Sequence, residues 1–529
     1  MFYLKGAVMK KLSRRAVLKT GAAALAASLS FPMNLLAEGA DAKPLPEASW
    51  NNLPAWHGFN LLEMFMNPWQ NKDFVEDDFR MMRDWGFNFV RLPMDYRNWI
   101  VDKDWRKIDE SALKRIDKAL EYGRKYGIHI MANMHRAPGY TVASPKEEKS
   151  VWKDDEALDV CALHWSTFAK RYAGVPSSQL SFNLFNEPSN IEIKPFMKVH
   201  RRLVSAIREI DPQRLIICDG MSWGGRPVME LTELKVAQAT RGYKPMTVSH
   251  YKASWVANSE NWAAPRWPGL NAYGTLYSPN KNGIDDKAKQ PLTIVGDFPK
   301  SATLRLKVGQ VSSAADIEVK ADGKTVLKRS FVPGPGEGEW TKVVHRPEWG
   351  NCYQNYYDLD VFTNIPAGTK KITVNMTGGD WIFFKELGLK IEGESEESVP
   401  TEMGWNIQPA QLAWQRRNAG GYEFANGGIS GRQWLYQEAI LPWEALRPFG
   451  KCVMVGEFGA YNKTPHDTVL NWLEDMLANW KAQGWGWAMW NLRGTFGILD
   501  SNREDVQYET VAGHQLDRAM LKLLQKYLD

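Results

Sequence analysis

The chain has 529 residues, of which 44% are hydrophobic and 24% charged. This is the balance of a soluble globular protein, and it excludes a disordered or collagen-like chain. Residues 1–42 hold six of the 66 Lys and Arg and two of the 61 Asp and Glu, so the remaining 60 basic and 59 acidic residues leave a net of +1; no nucleic-acid or acidic partner is expected. Cys161, Cys218, Cys352 and Cys452 are too scattered for a zinc motif or a disulfide framework, and no metal or cofactor is expected. Tryptophan is abundant, at 24 copies. The surplus fits either a Trp-rich core or flat aromatic faces suited to sugar rings.

Residues 1–42 are expected to be an export signal. Lys10, Lys11, Arg14 and Arg15 precede a small and apolar run from Ala22 to Leu36, and Ala40-Asp41-Ala42 supplies a small-residue cleavage site. The segment is too short for a normal membrane span. Its stretch SRRAVLK (Ser13 to Lys19) resembles a twin-arginine signal, which implies export to the periplasm or beyond. No span is expected elsewhere.

From residue 50 onward, short apolar runs alternate with helical patterns. Strands are expected at 56–62, 87–93, 128–135, 180–188, 214–220, 246–251, 452–459 and 484–492. Helices are expected at 73–85, 110–126, 154–172, 195–210, 466–482 and 513–527, the second from the spacing of Leu113, Ile116 and Leu120. Eight such units predict an α/β fold, a (β/α)₈ barrel with catalytic groups at the C-terminal ends of its strands. An open doubly wound sheet would carry a glycine-rich turn after its first strand, and none is present.

Polar residues at successive strand ends (Asn60, Arg91, His135, Glu187, Asp219, His250) are 31 to 52 positions apart, but the step from His250 to Glu457 is 207. An insertion after strand six is therefore expected, dividing the chain into barrel residues 43–251, an insert at 252–429 and barrel residues 430–529. Period-two runs at 290–392, with a hairpin signal at Asp322-Gly323, predict an all-β, jelly-roll-like sandwich within it. The acidic stretch 393–400 reads as an exit linker, and 434–448 as the delayed sixth helix.

NLFNEP (Asn183 to Pro188) puts Glu187 at the end of strand four, and GEFG puts Glu457 at the end of strand seven. Two carboxylates facing across a barrel mouth suit retaining glycoside hydrolysis, in which one protonates the leaving oxygen and the other attacks the sugar. The attacking group must stay ionised and the acid protonated. Asn186 is positioned to donate to a substrate hydroxyl.

The motif set NEP, GEFG, RLP, HRAPG and WNLRGTFGILDS, in that order, resembles glycoside hydrolase family 5 over residues 50–251 and 430–525. The resemblance implies that Glu187 is the acid/base and Glu457 the nucleophile. It also implies substrate contacts from Arg91, His135, His250 and Trp490. Tyr251 is the expected match for the tyrosine that contacts the nucleophile in the family, although it stands one place early. His57, Asn60, Asp219, Trp223 and Trp485 are weaker candidates. The closing segment 378–391 resembles a carbohydrate-binding module, with Trp340, Tyr353 and Trp381 as candidate platforms; the insert would either bind glycan or wall the site. The expected substrate is a β-linked glucan, with a β-mannan or another β-glycoside as the alternative. From another class, the rival is a glycan-binding protein without catalysis.

Overall fold

The computed structural model describes residues 44–257, 259–262, 264–270, 272–417, 420–425 and 429–528. The expected export segment lies outside them. Eight parallel strands close a barrel: His57–Asn60, Phe89–Asp95, His129–Ala137, Leu180–Asn183, Leu215–Asp219, Ala237–Gly242, Val453–Phe458 and Trp487–Met489. Each pairs with the next, and the eighth returns to the first through His57↔Trp487 and Phe59↔Met489.

The expected helices form. Glu110–Tyr126 begins at Asp109, whose carboxylate accepts from the Ser111 N–H at 2.8 Å, and stops at Gly127 in the left-handed region, with φ of 68°. Such an N-cap contributes about 1 kcal/mol, and glycine takes the positive φ without a Cβ penalty. Leu113, Ile116 and Leu120 are buried as their spacing requires. The helices seal one apolar layer around the strands, while Trp56, Phe89, Met131, Leu215 and Met454 fill the barrel's interior. Strands one and two touch so closely that a Cβ on Gly58 would lie 1.7 Å from the Phe89 carbonyl oxygen.

Strand six differs from the expectation. It is Ala237–Gly242, and residues Met246–Ser249 form one helical turn after Pro245. The real strand reads AQATRG and was hidden by its buried polar residues. Gln238 satisfies both the N–H and the carbonyl of Val228, at 2.9 and 2.8 Å, and Thr240 donates to the Gly224 carbonyl at 3.0 Å. The apolar look of 246–251 comes from packing outside the sheet: Val248 and Tyr251 are buried there.

A second β-rich unit lies between strands six and seven. Its strands run from Gly269–Leu270 to Ile429–Ser430, so it extends to both sides of the expected 290–392. Eleven strands share one sheet among the described residues. The antiparallel pair Ala302–Ala321 and Lys371–Ile391 is its spine. Asp322 (φ 46°) and Gly323 (φ 80°) form the two-residue hairpin turn foreseen, both in the left-handed region as a type I′ turn needs. Leu304, Leu306, Ile317, Ile372 and Val374 belong to a core separate from the barrel's. The supposed exit linker is partly strand: Glu397–Glu402 pairs with Glu386–Leu389. The delayed helical segment follows at residues 432–449.

Candidate active site

The barrel mouth carries an interlocked polar layer. Arg91, on strand two, is fully buried. It pairs with Glu457 and donates to Asn183 at 3.0 Å, Asn60 at 3.0 Å and Asn186 at 2.9 Å. Arg241, opposite Glu457 in the pairing of strands six and seven, donates to Glu187 at 3.1 Å and Asn186 at 2.8 Å, pairs with Asp219, and stands 3.3 Å from Glu457. One guanidinium thus reaches both glutamates. Asp219 accepts from the Glu187 backbone N–H at 2.9 Å and from Asn183 at 3.0 Å. Glu187 itself has φ of 52°, outside the conformations bulky residues prefer, and the bond to Asp219 helps hold it there.

The two glutamates sit in different fields. Burial, followed by the charge of Glu457, raises the Glu187 carboxyl well above the ordinary range. Glu457 is ringed by donors: Arg91, Arg241 and the Tyr243 hydroxyl at 3.2 Å. Burial opposes the charge of Arg241, but Asp219, Glu457 and Glu187 outweigh it and keep the group protonated. His135 is neutral, because burial and the charges of Arg91 and Arg241 push its pKa well below the usual value. Its ring stacks on Trp490 at 5.5 Å, and Phe65 sets its edge against both. The buried His135 Nδ1 has no protein partner.

The expected residues therefore divide. Glu187, Glu457, Arg91, Asn186, His135 and Trp490 meet at the mouth, with Asn60 and Asp219 beneath them. Tyr251 is a correction: it packs below Lys252, and Tyr243 makes the bond to Glu457. The misplaced strand six caused the error, since Tyr243 is the first residue after the true strand. His250 has its ring 5.1 Å from Tyr243 and bonds to Ser249 at 2.8 Å, so it supports the tyrosine from behind. His57 packs on Trp487 at the opposite end of strand one, and Trp485 is buried before strand eight. Trp223 is 48% exposed, with its N–H donating to the Pro188 carbonyl at 3.2 Å. In the insert, Trp381 is buried and cannot serve as an open platform. Arg241 and Tyr243 were missed. The signal available was RGY, an arginine and an aromatic closing a short polar run.

Residues 46–256 match the cellulase model of glycosyl hydrolase family 5. Cellodextrinase A of Ruminococcus flavefaciens is 26% identical over 185 residues, 34% of this chain and 54% of the relative. Endoglucanase C of Acetivibrio thermocellus is 27% identical over 208 residues, 39% and 60% of the two chains. The chain thus spans a little over half the length of these curated relatives. A crystal structure of a glycoside hydrolase superimposes with a TM-score of 0.57 at 25% identity, covering 89% of this chain and 99% of the other. The fold is a (β/α)₈ barrel similar to that of a glycoside hydrolase. More narrowly, the barrel's first part, residues 46–256, is similar to glycosyl hydrolase family 5.

Proposed function

We propose that the protein is a retaining β-glucan hydrolase in which Glu187 is the acid/base and Glu457 the nucleophile. The Glu457 carboxylate attacks the sugar's anomeric carbon while Glu187 gives its proton to the leaving oxygen. Glu187, now ionised, takes a proton from water, and that water displaces Glu457 from the sugar. The observation that carries the reading is Arg241, whose guanidinium lies 3.1 Å from Glu187 and 3.3 Å from Glu457. Two carboxylates that share one cation are held close to each other across the barrel mouth. Arg91 pairs with Glu457, and burial favours a protonated Glu187.

Asn186, held by both arginines, is the candidate donor to a substrate hydroxyl beside the reacting carbon. The His135–Trp490 stack is the candidate floor beneath the sugar. A β-glucan is supported by the relatives named cellodextrinase and endoglucanase. The Ser13–Lys19 pattern supports action outside the cytoplasm.

The test is product analysis on cello-oligosaccharides, mixed-linkage glucan, laminarin and mannan, with proton NMR of the first anomer released. The reading requires glucan products with the β anomer first, and none from Glu457→Ala. An α anomer first, or products from Glu457→Ala at the wild-type rate, overturns the mechanism; products from mannan alone overturn the substrate.

A further inference from the structure

A cleft of about 470 Å³ separates the inserted β unit from the barrel rim. On the barrel side it is lined by Lys244, Met246, Trp434 and Glu438, and on the insert side by Tyr273 and Trp405. It begins where the catalytic layer ends, because Lys244 directly follows Tyr243, the donor to Glu457. Its ionic pair is internally matched: the Lys244 ammonium donates to the Glu438 carboxylate at 3.3 Å and to its carbonyl at 3.1 Å.

Trp405 is 57% exposed, an unusual state for so large an apolar group, and Met246 faces the same cleft at 43%. The loop around Trp405 is rigidly built. The Tyr277 hydroxyl donates to the Gly404 carbonyl at 2.9 Å and accepts from the Asn406 N–H at 2.9 Å, clamping both neighbours of the tryptophan. Asn406, at φ 57°, adds a reciprocal pair of bonds with Asp285, at 2.8 and 3.0 Å. Tyr277 and Trp381 stand edge-on to the indole, at 5.4 and 6.2 Å. Trp381 thus buttresses the exposed ring. Opposite, the Trp434 side chain hydrogen-bonds Tyr273.

We propose that this cleft is a second glycan-binding site, which holds a neutral β-glucan chain against Trp405. Flat aromatic faces with polar groups at their edges match sugar rings, which carry C–H bonds on their faces and hydroxyls around their rims. Lys244 and Glu438 offset each other and Glu402 adds a carboxylate to the lining, so the cleft has no excess positive charge to draw an anionic ligand, and the clamped loop presents the indole with little left to order on binding. The inference rests on the β-glucan reading of the catalytic centre, but the two can fail separately.

The test uses the full chain carrying Glu457→Gln, so that nothing is cleaved, electrophoresed through native gels containing mixed-linkage glucan. Adding Trp405→Ala should weaken retardation about two- to tenfold, the range expected for losing one aromatic contact, and Trp405→Phe should keep most of it. Met246→Ala, from the other wall, should weaken it in the same direction and covers the case in which Trp405→Ala unfolds early on heating. Unchanged retardation in folded Trp405→Ala and Met246→Ala proteins overturns the second site. If the wild type cleaves no β-glucan but retardation depends on Trp405, the catalytic reading fails and the second site stands.

Discussion

Replacing Glu457 by Gln removes the negative charge that faces Glu187 while keeping the shape of the side chain. Two unit charges at the roughly 5.5 Å separation of a retaining pair interact by about 3 kcal/mol at an effective dielectric near 20. That energy corresponds to about two pK units. The Glu187 carboxyl, raised to about 8 by burial and then by Glu457, should therefore titrate about two units lower in Glu457→Gln. Carbon NMR of protein labelled at glutamate carboxyls reads this directly, with Glu187→Gln identifying the signal. In the wild type the same group sets the alkaline limb: kcat/KM should fall as pH rises through about 8, where the acid is lost. The sign for stability follows from proton counts. Above pH 4.5 the unfolded chain releases the proton that native Glu187 still holds, so its contribution declines from there up to about pH 8. Glu187→Gln should flatten that slope in denaturant melts. A Glu187 signal that does not move in Glu457→Gln would refute the coupling, and with it the assignment of acid and nucleophile to one gap.

Other substitutions separate chemistry from support. Tyr243→Phe deletes the hydrogen bond to Glu457 and should lower kcat about 10- to 100-fold, since bonds to charged groups contribute about 1.5–3 kcal/mol; Tyr251→Phe should stay within about twofold of wild type in the same assay. Asp219→Ala leaves Arg241 without its most deeply buried partner and should cost about 3–5 kcal/mol in urea unfolding. A midpoint within experimental error of wild type would show that Arg241 is already compensated. Gly58→Ala forces a Cβ onto the Phe89 carbonyl; soluble protein melting at the wild-type temperature would disprove that contact.

What the sequence by itself determined is the alternation of strands and helices, because apolar periodicity is local. It placed seven barrel strands, the hairpin at Asp322-Gly323 and both glutamates, since Glu187 and Glu457 follow mostly apolar runs within a few residues. It failed at strand six for a physical reason. Ala237 and Ala239 face the interior, while Gln238 and Thr240 alternate with them on the outer face and are buried by backbone partners, so AQATRG lacks the apolar signature, while the buried turn at 246–249 imitates it. Only the tertiary structure decided which residues share the site. Arg91 and Glu457 are separated by 366 positions, yet they pair. Arg241 reaches Glu187, Asp219 and Glu457 because closure brings strands four to seven side by side. The same holds in the insert, where burial moved the aromatic surface from Trp381 to Trp405. Exposure is set by what packs above a residue, and local sequence carries no record of that.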